Sequence, residues 1–378
     1  MDFDFTEEQA MLKDQLDRML GASYGFEDRR KHMASAEGWS TKAWDAYAEM
    51  GLMALPFPEE LGGIGGGPVE TMIVMESLGR ALALEPYFST VVLGGGALMA
   101  AADEAARAEL VPGIADGSLK LSLAQVERHS RYDLHHVETK AVRDGADYVI
   151  SGAKSVVLHG DSADRLIVSA RSAGSARDEN GIGLFLVDAD ANGVTRRGYV
   201  TQDGQRAAEI TFENAPATPL GDPEAGLSIL RAVVDRGIAA LCAEAVGVMS
   251  AMHELTVEYL KVRKQFGVPI GQFQVLQHKA VDMYVAIEQA RSITYFATMM
   301  ADSGDASERA RAMHAAKAEI GRGGRLVGEN AIQLHGGVGM TMEYAVGHYF
   351  KRATAIDVMF GDSDHHLRSL TRAGGLFA

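Results

Sequence analysis

The chain has 378 residues, 47% hydrophobic and 23% charged, a globular composition with length for two or three structural units. Acidic residues number 51 against 36 basic, a formal charge of −15, so a broad basic face for nucleic acid is not expected. The single cysteine, Cys242, excludes an intrachain disulfide framework and suits a reducing compartment.

The N-terminal run Met1-Asp2-Phe3-Asp4-Phe5 is acidic and lacks the basic-then-apolar layout of a secretory signal. No uninterrupted apolar stretch reaches the roughly 18 residues of a membrane span. A cytoplasmic protein without a membrane span is the expectation.

Residues 6 to about 120 read as helical. Thr6 is placed to cap a helix whose first turn holds Glu7 and Glu8, and Met11, Leu12, Leu16, Met19 and Leu20 recur at helical spacing. Pro56, Pro58 and the glycine run from Gly62 to Gly67 predict a loop. A second helical pattern covers Val69 to Ala83 and is broken at Glu85-Pro86.

The middle changes period. Lys120–Val126, Thr139–Arg143, Tyr148–Ser151, Arg165–Ala170, Gly183–Val187 and Ala208–Phe212 predict short strands, with turns at Asp144-Gly145 and Ser151-Gly152 and a surface loop over 172–181. From about Ala225 the helical period returns, with long helices predicted over Leu227–Arg263, Val275–Ala301 and Ala306–Leu334. The fold class is therefore α+β: an N-terminal helical domain (1–120), a central antiparallel β domain (121–222) and a C-terminal helical domain (223–378). Strands and helices do not alternate as a doubly wound dinucleotide fold requires.

Two segments carry binding chemistry. Arg263-Lys264-Gln265-Phe266-Gly267, followed by Pro269 and Gln274, sets a cation, an aromatic ring and amides around a turn between helices. Arg can grip a phosphate with two donors, and Phe can cover a ring. By chemistry alone the segment is equally an ordinary helix-ending turn. Gln333-Leu334-His335-Gly336-Gly337-Val338-Gly339 ends a long helix in glycines, which first of all stop a helix and also bare backbone N–H groups.

Together, and in this order, these segments resemble those of the flavin-dependent acyl-CoA dehydrogenase family. Pro58-Glu59-Glu60-Leu61-Gly62-Gly63 and Ile150-Ser151-Gly152-Ala153-Lys154 resemble the family's N-terminal loop and β-domain turn, so the likeness covers nearly the whole chain. The resemblance implies an FAD enzyme that removes two hydrogens beside an acyl-CoA thioester and passes electrons to an electron-transfer acceptor. It implies that Arg263, Phe266, Gln274, Gln333 and Gly337 hold the adenosine diphosphate half of FAD across a subunit interface. Ser363 and His365 fall near further cofactor contacts.

The likeness fails at the base. The family's usual glutamate is matched by Gly361 in Phe360-Gly361-Asp362-Ser363, and a one-residue shift brings Asp362 into play. A second subgroup's base is matched by Asp235 before Arg236, one methylene shorter than a glutamate. Glu244 lies about 13 Å further along the same helix, and Glu85 is a remote option. Each is also readable as an ordinary paired or solvated carboxylate, so the catalytic base stays open. Val156 and Leu158 stand where the family often shows an aromatic and a threonine, and Leu121–Glu127 departs from its usual Thr-Glu-Pro run.

A chain that keeps the clamp and lacks the base resembles small subunits of heteromeric acyl-CoA dehydrogenases, of the pimeloyl-CoA and steroid side-chain types. That likeness implies a heterotetramer with a homologous, catalytically complete subunit. The alternatives are a flavin oxidase or monooxygenase on the same fold, and a non-catalytic subunit that only completes a partner's FAD site. The pairs His135-His136 and His365-His366 are not read as metal sites, because adjacent side chains seldom converge on one ion. No Gly-x-Ser-x-Gly elbow supports a hydrolase.

Overall fold

The computed structural model describes residues 4–376, so the first three residues of the acidic N-terminal reading lie outside the described residues. In chain order the helices are α1 (Glu7–Ser23), α2 (Phe26–Met33), α3 (Thr41–Glu49), α4 (Pro68–Ala81), α5 (Gly96–Ala101) and α6 (Glu104–Ala115). Seven strands follow: β1 (Leu121–Ala124), β2 (Lys140–Asp144), β3 (Asp147–Leu158), β4 (Arg165–Arg171), β5 (Ile182–Asp188), β6 (Val194–Val200) and β7 (Arg206–Leu220). Then come α7 (Gly226–Val262), the short pair β8 (Lys264–Gln265) and β9 (Val268–Pro269), α8 (Gln274–Met300), α9 (Ala306–His335), α10 (Ala345–Val358) and α11 (Ser363–Arg372). The helical, β, helical order expected from the sequence is the order found. Among the described residues no helix is long and apolar enough to cross a membrane.

The chain divides into two compact units. One joins the stretch up to Arg30 with Pro68–Ala83 and Ile238–Ala378; the other joins Lys31–Gly67 with Leu84–Gly237.

In the first unit α1 begins as predicted. The Thr6 hydroxyl accepts from Gln9 N–H at 3.2 Å, and the Gln9 side chain accepts from Thr6 N–H at 3.0 Å, a reciprocal capping box. The helices α7, α8 and α9 start and stop within a residue or so of the predicted limits, because their apolar residues repeat with the helical period. Leu241, Val246, Met249 and Met252 of α7, Met283 and Ile287 of α8 and Met313, Ala316 and Ile320 of α9 are all buried. Each larger side chain contributes roughly 1.5–3 kcal/mol of burial. Helices α4 and α7 approach to backbone contact: a Cβ on Gly79 would stand 2.1 Å from the Glu244 carbonyl oxygen, and one on Gly247 would stand 2.0 Å from that of Glu76. Only glycine permits that spacing.

In the second unit the strand pairings β4–β5, β5–β7, β7–β3, β3–β2 and β2–β4 run in a closed circuit, which leaves few free edges. The pairing is mostly antiparallel; β1 runs parallel to β4, with Leu121 opposite Arg165 and Ala124 opposite Val168. Ile150, Leu166, Val168, Phe185, Ile210 and Phe212 fill the interior. The turn expected at Ser151-Gly152 is a register shift inside β3, which runs on to Leu158. Strand β6 has no counterpart among the predicted strands, and β7 extends well past Phe212, carrying Pro216 and Pro219 within the strand.

Candidate functional site

The Arg263 segment forms a hairpin directly after α7. Lys264 pairs with Pro269 and Gln265 with Val268, leaving Phe266 and Gly267 as the two turn residues. Both have positive φ, 55° and 83°, the geometry of the tight turn that matches strand twist. Glycine adopts it freely; phenylalanine does so at a cost. Phe266 is nevertheless 91% exposed, its ring meeting the edge of Phe273 at 6.1 Å. A strained, uncovered aromatic gains little from the fold of its own chain, which marks it as a surface for something else.

Arg263 is exposed at the hairpin's base, tied through its backbone to Tyr259 (2.9 Å) and Ile270 (2.8 Å). Gln274 is exposed at the start of α8, and the preceding Phe273 provides no side-chain cap for the helix N-terminus.

The Gln333 segment lies at the same place. The Tyr259 ring stacks on His335 with centroids 4.5 Å apart, and Tyr344 closes on His335 at 5.0 Å. This aromatic contact joins the end of α7 to the end of α9. Arg263 follows Tyr259 by one helical turn, and Gln333 precedes His335 on the last turn of α9. The His335 imidazole is buried and paired with the Ala331 carbonyl at 2.8 Å; burial lowers its pKa. Gly336 breaks the helix at φ 60°, and Gly337 is exposed with open space where a Cβ would stand.

Arg263, Phe266, Gln274, Gln333 and Gly337 therefore gather at one end of the unit, all exposed. A guanidinium, an uncovered phenyl ring, two amides and an unobstructed backbone fit the phosphate and ring groups of a dinucleotide. Ser363 and His365 do not join them. Gly321 packs on Ser363, and Gln333 is twelve residues further along α9, about 18 Å at helical rise. The first amides of α11 are also already engaged: Ser363 N–H donates to Asp357 (3.1 Å) and His365 N–H to Asp362 (2.7 Å).

The candidate bases separate sharply. Glu244 is buried and held by Arg352 through two bonds of 2.6 and 2.8 Å, so it is committed to a structural pair. Glu85 is buried and accepts from Ser40 N–H (3.0 Å), Tyr47 hydroxyl (3.1 Å) and Leu84 N–H (3.2 Å). Both carboxylates have their lone pairs directed at fixed donors. Asp362 caps α11. Asp235 is half-buried on α7.

Gly361 lies at φ 121°, and a Cβ there would meet His365 Cδ2 and His366 Nε2 at 2.7 Å. Two imidazoles thus fill the direction a side chain would take. His366 is paired through Nδ1 with His314 at 2.9 Å, and burial pushes its pKa down to about 2. Beneath the turn, fully buried Lys317 donates to the carbonyls of Asp357 (2.7 Å) and Gly361 (2.8 Å).

One buried pair joins the two segments that end at Glu127 and Lys154 in the sequence. Lys154, in the segment noted from sequence and inside β3, donates to Glu127 at 2.7 Å and to Ser169 at 3.1 Å. Glu127 also accepts from Glu138 N–H (2.9 Å) and Thr139 N–H (3.1 Å). Burial raises the Glu127 pKa, and Lys154 with these amides more than reverses that. The pair floors a cavity of about 660 Å³ lined also by His129, Glu138, Arg197 and Glu209. The two partners lie 27 residues apart; the signal available in sequence is the one lysine of the β3 segment.

Comparison with known proteins covers the chain from end to end. Profiles described as acyl-CoA dehydrogenase N-terminal, middle and C-terminal domains match residues 6–118, 122–215 and 224–375. An acyl-CoA dehydrogenase of Mycobacterium tuberculosis, IpdE2, is 33% identical over 352 residues, covering 92% of this chain and 91% of its own. A probable acyl-CoA dehydrogenase of Bacillus subtilis, YngJ, is 29% identical over 372 residues, 96% and 97% of the two chains. Among solved structures, a variant of the Tcur3481-Tcur3483 steroid ACAD superposes with a TM-score of 0.89 at 31% identity, covering 97% of each chain. The ChsE4-ChsE5 complex from Mycobacterium tuberculosis has the same fold, with a TM-score of 0.88 at 24% identity over 98% of each chain.

Proposed function

The chain belongs to the acyl-CoA dehydrogenase family, and on that premise we propose that it works as one subunit of a heteromeric enzyme that desaturates an acyl-CoA thioester. Family membership makes it an oxidoreductase of CH–CH bonds with FAD as cofactor. The observation that carries the heteromeric reading is Gly361: the position matched to the family's base has no side chain, and histidine rings fill the space one would need.

FAD supplies a hydride acceptor when bound. This chain's contribution is binding. Arg263 neutralises phosphate charge, Phe266 covers a ring, and Gln274, Gln333 and the Gly337 backbone orient the nucleotide. All five stand uncovered on this chain, as groups completed by a second subunit do. The proton-accepting carboxylate comes from the homologous partner, in a heterotetramer of two such pairs. An electron-transfer acceptor reoxidises the assembly. The single, fully buried thiol suits a cytoplasmic setting.

The test is co-expression with a homologous acyl-CoA dehydrogenase subunit. Flavin content and dehydrogenation of a panel of acyl-CoA thioesters are measured for the pair and for each chain alone. The reading expects full flavin loading and turnover only in the pair. Full loading and turnover by this chain alone would reject it.

A further inference from the structure

The loop between β1 and β2 brings together His129, His136 and Glu138, whose donor atoms all lie within 4.8 Å of one another. His129 Nε2 is 3.5 Å and His136 Nε2 is 3.8 Å from the same oxygen, Glu138 Oε1. These separations are too long for good hydrogen bonds. Bonds of about 2.0–2.2 Å at tetrahedral angles put ligands about 3.3–3.6 Å apart; the His129 separation lies in that range, the His136 separation is slightly longer, and a small inward turn of the side chains would close all three donors on one small cation. We propose that His129, His136 and Glu138 form a binding site for a divalent transition cation such as Zn2+.

The loop is built to hold that geometry. Ser130 hydroxyl donates to the Glu127 carbonyl (2.9 Å) and accepts from Glu127 N–H (3.1 Å), fixing the turn that carries His129. Asp133 N–H donates to the Ser130 carbonyl (2.9 Å), and Val137 N–H to that of Ala176 (2.9 Å), so His136 enters between two anchored points. Arg171 donates to the carbonyls of His135 (2.9 Å) and Val137 (3.0 Å), pinning the chain on either side of His136. Glu138 N–H is held by Glu127, whose other oxygen is locked by buried Lys154.

Glu127 Oε2 lies 3.4 Å from His129 Nε2, but that carboxylate already serves Lys154 and two backbone amides. It acts as a negative neighbour, and water takes the fourth position. Two imidazoles and one carboxylate with an open place suit a borderline cation rather than Ca2+ or Mg2+, which prefer all-oxygen shells. The adjacent pair His135-His136 is not the chelate: His135 turns to Asp133 at 2.6 Å, and His136 joins His129 instead.

The purified full-length protein, stripped with a chelator, is titrated with Zn2+ against a chromophoric indicator, and with Co2+ while visible d–d absorption is recorded. One equivalent should bind, with the intense absorption of four-coordinate Co2+. H129Q, H136Q and E138Q should each weaken binding by at least about tenfold, while H135Q leaves it unchanged. His129 is partly exposed, so H129Q reads out the site even if H136Q fails to fold. No saturable uptake, uptake that survives H129Q, or equal damage from H135Q would overturn the proposal.

Discussion

Lys317 Nζ donates to the carbonyl oxygen of Gly361 at 2.8 Å across 44 residues of sequence, and both groups are buried. The same ammonium reaches the Asp357 carbonyl at 2.7 Å. One side chain thus satisfies two carbonyls at the end of α10 and holds the turn into α11. Desolvation pulls the Lys317 pKa from 10.5 down to about 8, with the neighbouring Cys242 and Asp357 opposing it.

That depression fixes the sign of a pH effect. A folded-state pKa below the unfolded value means the unfolded chain binds more protons between the two, so stability rises with pH across about pH 8 to 10.5. Below pH 8 the folded state bears the full cost of a buried charge. The shift corresponds to roughly 3 kcal/mol. Urea unfolding of wild type and K317M at pH 7, 8, 9 and 10 should show their difference moving in favour of wild type as pH rises. A difference flat in pH would mean that Lys317 titrates normally.

Gly361 sets a limit on engineering a base into this chain. A Cβ at φ 121° collides with His365 and His366, so G361A should cost about 1–3 kcal/mol from strain alone. G361E adds a longer side chain to the same blocked direction. It should lower the melting temperature and give no dehydrogenation by the isolated chain. Removing one ring, as in G361E/H366A, should recover part of the lost stability. An active, fully stable G361E would show that the imidazoles yield easily.

What is legible in the sequence follows from periodicity. Helices α7 to α9 show themselves because one face is buried and the 3.6-residue repeat is unbroken. Strand β6 escapes notice because Val194–Val200 buries no residue fully, so alternation has nothing to mark. Strand β7 reads too short because Pro216 and Pro219 look like breakers; both lie in the strand's final stretch. Arg263 and Gln333 are recognisable as parts of linear motifs, but their two helix ends are joined by the Tyr259–His335 stack, which no spacing rule gives. The Glu127–Lys154 pair and the His129, His136, Glu138 cluster arise from loop closure and have no sequence template.

The Glu127–Lys154 pair carries the second pH signature. Burial raises the Glu127 pKa, and the Lys154 charge with its amide donors brings it below the ordinary value. A lowered carboxylate pKa contributes stability above the unfolded value of about 4.5, lost as pH falls through the folded value. K154M leaves Glu127 charged and buried, and E127Q does the same to Lys154. Each should cost about 3–5 kcal/mol. E127Q/K154M removes both charges, and because Glu138 N–H and Thr139 N–H bond different oxygens of Glu127, the single Gln oxygen keeps one of these two bonds. Denaturant curves should place the double variant above either single one, and E127Q should flatten the acid limb. A double variant as unstable as the sum of the singles would mean that the charges do not act as a pair.

The hairpin tip separates stability from binding. Phe266 holds an unfavourable backbone conformation and is 91% exposed, with an edge contact to Phe273. F266G relieves that conformation and should leave the fold unharmed or raise its stability by up to about 1 kcal/mol. R263A removes an exposed side chain and should change stability by less than about 0.5 kcal/mol. Both should nevertheless cut flavin retention in the co-expressed complex, by at least about tenfold if each group contributes the roughly 1.5–3 kcal/mol of a charged or buried contact. Melting temperature and flavin-to-protein absorbance ratio, read on the same samples, decide it. A stable F266G that keeps its flavin would show that the ring is not part of the nucleotide cradle. A destabilised F266G would show instead that the turn conformation is supported by packing the strain argument leaves out.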